Sequence, residues 1–436
     1  MSTNKLKMFF KNFSKISSNF SYKLSIYMFL LKWTLLSSLI GLLVGSASAG
    51  FLVSLDWVTN FRENNLYIIA FLPLAGLAIG LIYHYYGKDV EAGNNLIIDN
   101  IHKPFAIIPL KMAPFVYLGT IITHLFGGSA GREGTALQMA ASIIDQFSKW
   151  FKFSQTERKI LLISAVSAGF GSVFGTPLAG AFFGLEFFLI GKINYKAIFP
   201  AFASAILADL VTKAWNVPHT HYHIYDFPEL SISPILFSIL GGIVFGLCAM
   251  IFSKSIRYIT SIFKSKINFP PFRPLVGGII VDLAVFLIGT TKYIGLGIPT
   301  IVQSFEEQLP MYDFALKMVF TVLTLAAGFK GGEVTPLFFI GATLGSTLSF
   351  FIPLPTALLA GMGFVAVFAG ATNTPIACML MGIELFGIES GIYVAIACMV
   401  SYLISGHSSI YGKQIIGEPK HESNNHHSGK AINEII

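Results

Sequence analysis

Apolar residues run in blocks of roughly twenty along most of the chain, at 24–55, 67–86, 113–126 with its continuation, 197–212, 234–252, 276–290, 314–328 and 357–372. A helix of that length spans the hydrocarbon core of a bilayer, so the pattern predicts an all-α polytopic membrane protein. Polar, glycine-rich stretches interrupt the blocks at GNNLIID (93–99), GREGTALQM (131–139) and GGEVTPLFF (331–339). Broken helices are tolerated at membrane depth where protein lines a cavity. The N–H groups of each new first turn lack internal partners and lie at the positive end of the helix dipole. Several such starts facing one cavity would bind an anion. Close helix packing at small residues is the plainer account of any single stretch.

The pattern also repeats. PLAGAFFGLE (177–186) and PIACMLMGIE (375–384) share proline, alanine, glycine and glutamate at matching positions, 198 residues apart. GREGT (131–135) and GGEVT (331–335) share glycine, glutamate and threonine, 200 residues apart. Two pairs at nearly one offset imply a duplicated unit. Transporters with inverted-topology repeats place their broken helices near the bilayer midplane, and that architecture is the expectation here. The expected divisions are a cytoplasmic N-terminal segment (1–29), a first membrane repeat (30–212), an extracytoplasmic connection (213–233), a second repeat (234–412) and a short polar cytoplasmic tail (413–436).

Composition agrees with a membrane setting: 54% of residues are hydrophobic, 12% are charged, and mean hydropathy is +0.69. The basic start (Lys5, Lys7, Lys11, Lys15, Lys23) leads into an apolar block too long for a cleavable leader. Basic residues also gather at 149–159, 254–273 and after 412. The positive-inside rule then puts these segments and both termini in the cytoplasm. Topology explains the net charge of +7 better than nucleic-acid binding does. HESNNHH (421–427) is expected in a disordered tail and HTHYH (219–223) in a solvated loop. Cys248, Cys378 and Cys398 suggest neither a disulfide framework nor a metal site.

Four glutamates stand in apolar surroundings: Glu133, Glu186, Glu333 and Glu384. An ionisable side chain at the bilayer centre costs about 2.5–3.5 kcal/mol on insertion scales and is by default a functional candidate. Glu186 and Glu384 occupy corresponding places nine residues beyond a proline, and are expected to be hydrogen-bonded helix-end groups with a structural role. Glu133 stands instead in a glycine-rich break at a helix start, the setting of a group that gains and loses a proton. A simple Arg132–Glu133 ion pair is the plainer alternative, weakened because neighbouring side chains on a helix diverge.

With GREG (131–134), GSVFGTPLAGAFFGLE (171–186), GLGIPT (295–300) and GGEVTPLFFIG (331–341), the chain resembles the CLC chloride channel and transporter family from about residue 30 to 415. The resemblance implies an inverted-repeat fold with a midplane anion site, in a homodimer with one anion pathway per subunit. It makes Glu133 the gating glutamate and Tyr411 the tyrosine of the central anion site. Prokaryotic members similarly lack a large C-terminal domain. Departures point to one branch. Chloride members carry GSGIP where this chain has GNNLI, so Asn94 takes roughly the place of the serine. Thr135 replaces the proline of GREGP, GEVTP (Glu333, Val334, Thr335) replaces GxFxP, and Phe187 stands where proton-coupled chloride exchangers often place a second glutamate. These features resemble the fluoride/proton antiporter branch.

That resemblance implies export of fluoride against inward protons, with Glu133 as gate and proton carrier and Glu333 as a proton relay or tuning group. The implied anion-binding set is Asn94, Gly131, Arg132, Gly134, Thr135, Val334, Thr335, Phe339 and Tyr411. Fluoride holds its water strongly, so its site must return strong hydrogen bonds. Amide, hydroxyl and helix-start N–H donors suit it, as does the positive edge of the Phe339 ring. A partner phenylalanine described for some members would fall at Ile97. No metal or cofactor is implied, and the expected location is a prokaryotic inner membrane. A chloride/proton antiporter or passive anion channel of the same family is the alternative. An intramembrane enzyme is remote, because His84, His102 and His124 are scattered without metal-ligand spacing.

Overall fold

The computed structural model describes residues 3–104 and 106–435, with side chains from Lys23 onward except at residue 424. Among these residues the first half holds α1 (Thr3–Asn64), α2 (Leu72–Tyr86), α3 (Asn94–His102), α4 (Met112–Leu125), α5 (Glu133–Ile144), α6 (Phe147–Trp150), α7 (Gln155–Phe174), α8 (Pro177–Glu186) and α9 (Ile198–Ala214). The second half holds α10 (Ile232–Lys266), α11 (Phe272–Ile288), α12 (Ile298–Glu306), α13 (Asp313–Ala327), α14 (Val334–Leu348), α15 (Thr356–Thr372), α16 (Pro375–Phe386) and α17 (Gly391–Ile404). The first helix runs unbroken past residue 30. The lysines at 5, 7, 11 and 15 lie outside the described side chains.

Four stretches are long and apolar enough to cross a membrane: Lys23–Asn64, Leu66–Tyr86, Tyr195–Ala214 and Ile232–Lys266. Several of the remaining apolar blocks form shorter helices. The 14 residues of α4 reach about 21 Å at 1.5 Å per residue, well short of the roughly 30 Å hydrocarbon core. α4 stops where Gly127 turns the backbone to a φ of 88°, and α5 begins six residues later. The glycine-rich interruptions therefore produce helix starts inside the protein rather than full spans.

The same turn is built twice. α7 starts at a capping box, with Glu157 N–H donating to Ser154 Oγ and Ser154 N–H to Glu157 Oε2, and ends at Gly175 with φ 71°. α15 ends at Asn373 with φ 59°. Each left-handed residue is followed by Thr-Pro and a new helix, α8 or α16, with proline in its first turn, where a missing N–H costs nothing. The carboxylate at the end of each new helix reaches the start of the other. Glu384 accepts from Leu178 N–H at 2.9 Å and Ala179 N–H at 2.8 Å. Glu186 accepts from Ala377 N–H at 2.9 Å and Ile376 N–H at 3.4 Å.

The core is continuous through the centre, where α14 and α15 meet backbone to backbone. A Cβ on Gly341 would lie 2.0 Å from Gly363 O, and one on Gly363 would lie 2.0 Å from Gly341 O. Close approach of this kind is how helices associate where apolar burial provides no drive.

Two sequence expectations need correction. The tail is ordered: Ile415–Ile416 pairs in parallel with Leu189–Ile190, and Gln414, Ile416 and Ile432 are fully buried. Gln414 donates to Phe187 O and Thr372 O and accepts from Asn373 Nδ2. Its apolar residues and this amide give the tail a docking face that its overall polarity obscured. The segment around HTHYH is likewise packed rather than fully solvated. Tyr222 stacks on Phe305 at 5.2 Å and meets Phe364 edge-on, and His219 covers Gly175; His221 and His223 are exposed.

Candidate functional site

The two glycine-rich interruptions with matching motifs, GREGT and GGEVT, meet in space. Gly131 N–H donates to Gly332 O at 2.6 Å and Gly332 N–H donates to Gly131 O at 2.8 Å, a single antiparallel bridge. The glycines are needed: a Cβ on Gly131 would come within 2.9 Å of Pro336 and 3.0 Å of Gly332 O. This clasp sets the starts of α5 and α14 side by side.

Glu133, the first residue of α5, is wholly buried, and its carboxylate lies on the start of α14. Oε2 accepts from Thr335 N–H at 3.1 Å and from Arg132 N–H at 3.1 Å, and Oε1 accepts from Thr335 Oγ1. These are donors of the kind an anion would use at a helix N-terminus, and here the carboxylate takes them. Arg132 Nε stands 3.7 Å from Oε1 and has no hydrogen-bond partner. The neighbours do form a loose ion pair. The expected divergence fails because Arg132 is the cap before α5, with φ −115°, rather than a helical residue.

Open space lies on either side of this niche. A cavity of about 610 Å³ is lined by Arg62, Arg132, His219, Thr220 and Lys292, with Asp56 and Glu63 at its wall. A narrow pocket continues from Arg132 to Thr335, past Tyr222 and Phe338. A second, polar cavity of about 160 Å³ is lined by Asn94, Gln138, Lys330, Glu333 and Tyr411. Tyr411 OH and Asn94 Oδ1 are buried there without partners. Buried polar atoms are normally satisfied, so both mark a place for a hydrogen-bonding guest.

The remaining expected residues divide. Asn94 Nδ2 faces Gly134, 3.1 Å from where a Cβ would stand, while Asn95 Oδ1 accepts from Lys413 N–H at 3.0 Å; Asn94 is the asparagine with free capacity. Glu333 is half-buried and lines the polar cavity. Val334 is buried in the first turn of α14. The Thr135 hydroxyl is paired with Thr120 Oγ1 at 2.6 Å, and Gly131 N–H is held in the clasp. Phe339 lines none of these three cavities. It packs against Gly297, beneath Lys317 Nζ at 5.2 Å and edge-on to Tyr293 at 6.4 Å. Ile97 is core. Phe187 meets the Tyr411 ring edge-on at 5.9 Å.

Sequence reasoning missed Gln138, Lys330 and His124. Gln138 lies within the quoted GREGTALQM, and Lys330 directly precedes GGEVT; proximity to those motifs was the available signal. His124 is fully buried with Nε2 3.5 Å from Gly131 O. Among the described residues no group of three or more His, Cys, Asp or Glu side chains gathers as a metal site.

Residues 75–406 match the family described as "Voltage gated chloride channel". A "Chloride/fluoride channel protein" of Pseudomonas syringae pv. tomato is 50% identical over 405 residues, covering 92% of this chain and 90% of that protein. The fold is similar to the crystal structure of a CLC-type fluoride/proton antiporter, with a TM-score of 0.86 and 36% identity over 88% of this chain and 98% of that one. It is also similar, in fold alone, to a slow cyanobacterial Cl−/H+ antiporter at 18% identity and TM-score 0.75, over 92% of this chain and 96% of that one.

Proposed function

This chain belongs to the voltage-gated chloride channel (CLC) family, and from that premise we propose that it is a membrane antiporter that exports fluoride in exchange for protons. The observation that carries the reading is the seat of Glu133. An ionisable carboxylate from one repeat occupies the N–H and hydroxyl donors at a helix start of the other, between two cavities. A small anion and this carboxylate compete for the same donors. When fluoride takes them, the carboxylate must leave, and it leaves more readily by taking a proton. Alternation of the two occupants couples the fluxes in opposite directions.

Fluoride as cargo is supported by GREGT, GEVTP and Asn94, and by similarity to the Pseudomonas chloride/fluoride channel protein and to the CLC-type fluoride/proton antiporter. Thr335 supplies both its N–H and its hydroxyl, and Tyr411 OH and the Asn94 amide add neutral donors on the polar-cavity side. Charge-assisted hydrogen bonds from such groups offset the loss of fluoride's hydration. Glu333, on the same cavity wall, relays or tunes the proton that Glu133 releases.

The finer architecture is part of this reading: two repeats of inverted topology, a site near the bilayer midplane and a homodimer with one pathway per subunit. The reciprocal reach of Glu186 and Glu384 supports the repeat. With both termini cytoplasmic in a prokaryotic inner membrane, the 610 Å³ cavity faces outward and the 160 Å³ cavity faces the cytoplasm.

Flux from reconstituted liposomes tests it. Fluoride loaded inside should leave while driving protons in, and chloride should move far more slowly. Similarity to the Pseudomonas chloride/fluoride channel protein favours a second reading, a passive anion channel of the same fold. Fluoride gradients that never move protons would establish that reading instead.

A further inference from the structure

The polar cavity holds a positive charge that Glu133 and its donors do not use. Lys330 lies in the turn between α13 and α14, three residues before Glu333. Its Nζ stands 3.9 Å from the centre of the Tyr83 ring. Its stem crosses Gly119 of α4, where an added Cβ would lie 2.9 Å from both Lys330 Cβ and Cγ. Tyr83, on α2, is braced edge-on by Phe115 at 5.6 Å. Two helices, α2 and α4, thus hold the lysine along the cavity that Asn94, Gln138 and Tyr411 also line.

Glu91 and Glu333 share that cavity, yet among the described residues no carboxylate forms an ion pair with Lys330. The Tyr83 ring attracts the ammonium through its quadrupole. A ring, unlike a carboxylate, does not neutralise the charge it holds. The cavity therefore holds an ammonium not closely paired with the Glu91 and Glu333 carboxylates, and the Tyr411 hydroxyl, which has no hydrogen-bond partner, lines the same space. An ammonium and a phenol can both donate to one guest, and an anion is the acceptor that gains most from the two.

We propose that Lys330 is an anion-binding residue of this cavity, capturing fluoride on the Tyr411 side before it enters the Glu133 niche. The proposal rests on the fluoride/proton exchange reading for its cargo and deepens it by naming where the ion first meets a positive charge. A hydrogen bond from a charged donor to an anion is worth roughly tenfold in affinity or more. Gly119 and Tyr83 are then parts of the same device, one making room for the stem and the other orienting the head.

The test pairs binding with transport on the full-length purified protein. Titration calorimetry with sodium fluoride should give a dissociation constant raised about tenfold in Lys330→Gln and in Lys330→Met, and nearly unchanged in Lys330→Arg. In liposomes both neutral variants should need proportionately more fluoride for half-maximal efflux, with the number of protons moved per fluoride unchanged. Two neutral replacements of different shape guard against a folding defect in either, with elution as a monodisperse species as the check. A folded neutral variant that binds fluoride as tightly as the wild type overturns the proposal. A changed proton-to-fluoride ratio also overturns it, because that would make Lys330 part of the proton route. A wild-type protein that binds fluoride but moves no protons overturns the exchange reading and leaves this one standing.

Discussion

Glu186 and Glu384 each close the first turn of the helix that carries the other. Glu384, near the end of α16, accepts from Leu178 and Ala179 N–H at the start of α8, and Glu186, at the end of α8, accepts from Ala377 and Ile376 N–H at the start of α16. Both carboxylates are spent on backbone donors that would otherwise be orphaned. The exchange ties the two halves of the chain together and explains two of the four apolar-set glutamates without invoking transport.

Replacing either one should therefore cost stability rather than coupling. Glu384→Ala or Glu186→Ala orphans two N–H groups and is expected to destabilise the protein by about 1–3 kcal/mol, with a smaller loss for glutamine. Thermal unfolding in detergent measures the first effect. The proton-to-fluoride ratio of the surviving protein should match the wild type.

Glu133→Gln should separate the two fluxes. Glutamine can still accept from Thr335 but cannot carry a proton, so fluoride should move without proton movement or not move at all. Proton uptake driven by an outward fluoride gradient is the measurement, and uptake at the wild-type rate would remove Glu133 from the mechanism.

Thr335→Val removes the hydroxyl that Glu133 and, in its absence, the ion would use. A hydrogen bond to a charged group contributes about 1.5–3 kcal/mol, so apparent fluoride affinity should fall at least tenfold. Thr335→Ser should retain most of it. Equal affinity in the valine and serine variants would place the ion elsewhere.

Phe339 separates the resemblance from the geometry. The ring packs under Lys317 and beside Tyr293, so Phe339→Leu should lower the unfolding temperature while leaving the fluoride-to-chloride selectivity ratio of flux close to wild type. A collapse of selectivity would return the ring to the pathway.

Removing the chain from Gln414 onward deletes the amide that bonds Phe187 O, Thr372 O and Asn373. Tyr411, three residues earlier, packs against Phe187 and loses that support. Fluoride efflux should drop severalfold even where the truncated protein still inserts in the membrane.

Matching motifs pointed to the two helix starts that meet: GREGT and GGEVT announced their kinship, but the backbone bridge joining them at Gly131 and Gly332 was not legible in the sequence. The pairing of Glu186 with Glu384 was half legible. Their matching positions marked both as helix-end groups, whereas nothing along a linear sequence says that each caps the other's helix. Lys330 was harder to see, because its meaning comes from Tyr83 and Gly119 on helices far away in the chain. The tail misled because average polarity hides a few buried residues such as Gln414, Ile416 and Ile432. Thr135 sits in a motif yet spends its hydroxyl on Thr120, a contact that one-dimensional resemblance cannot register.

The paired bonds between Gly131 and Gly332 carry a consequence for how turnover proceeds. Stapled backbones at the starts of α5 and α14 have little freedom to part there, so under the proposed exchange the occupants would trade places by a swinging side chain within nearly stationary walls. Fluorescent reporters placed across that seam should register almost no separation during steady cycling, and a covalent tether spanning it should leave the machine running.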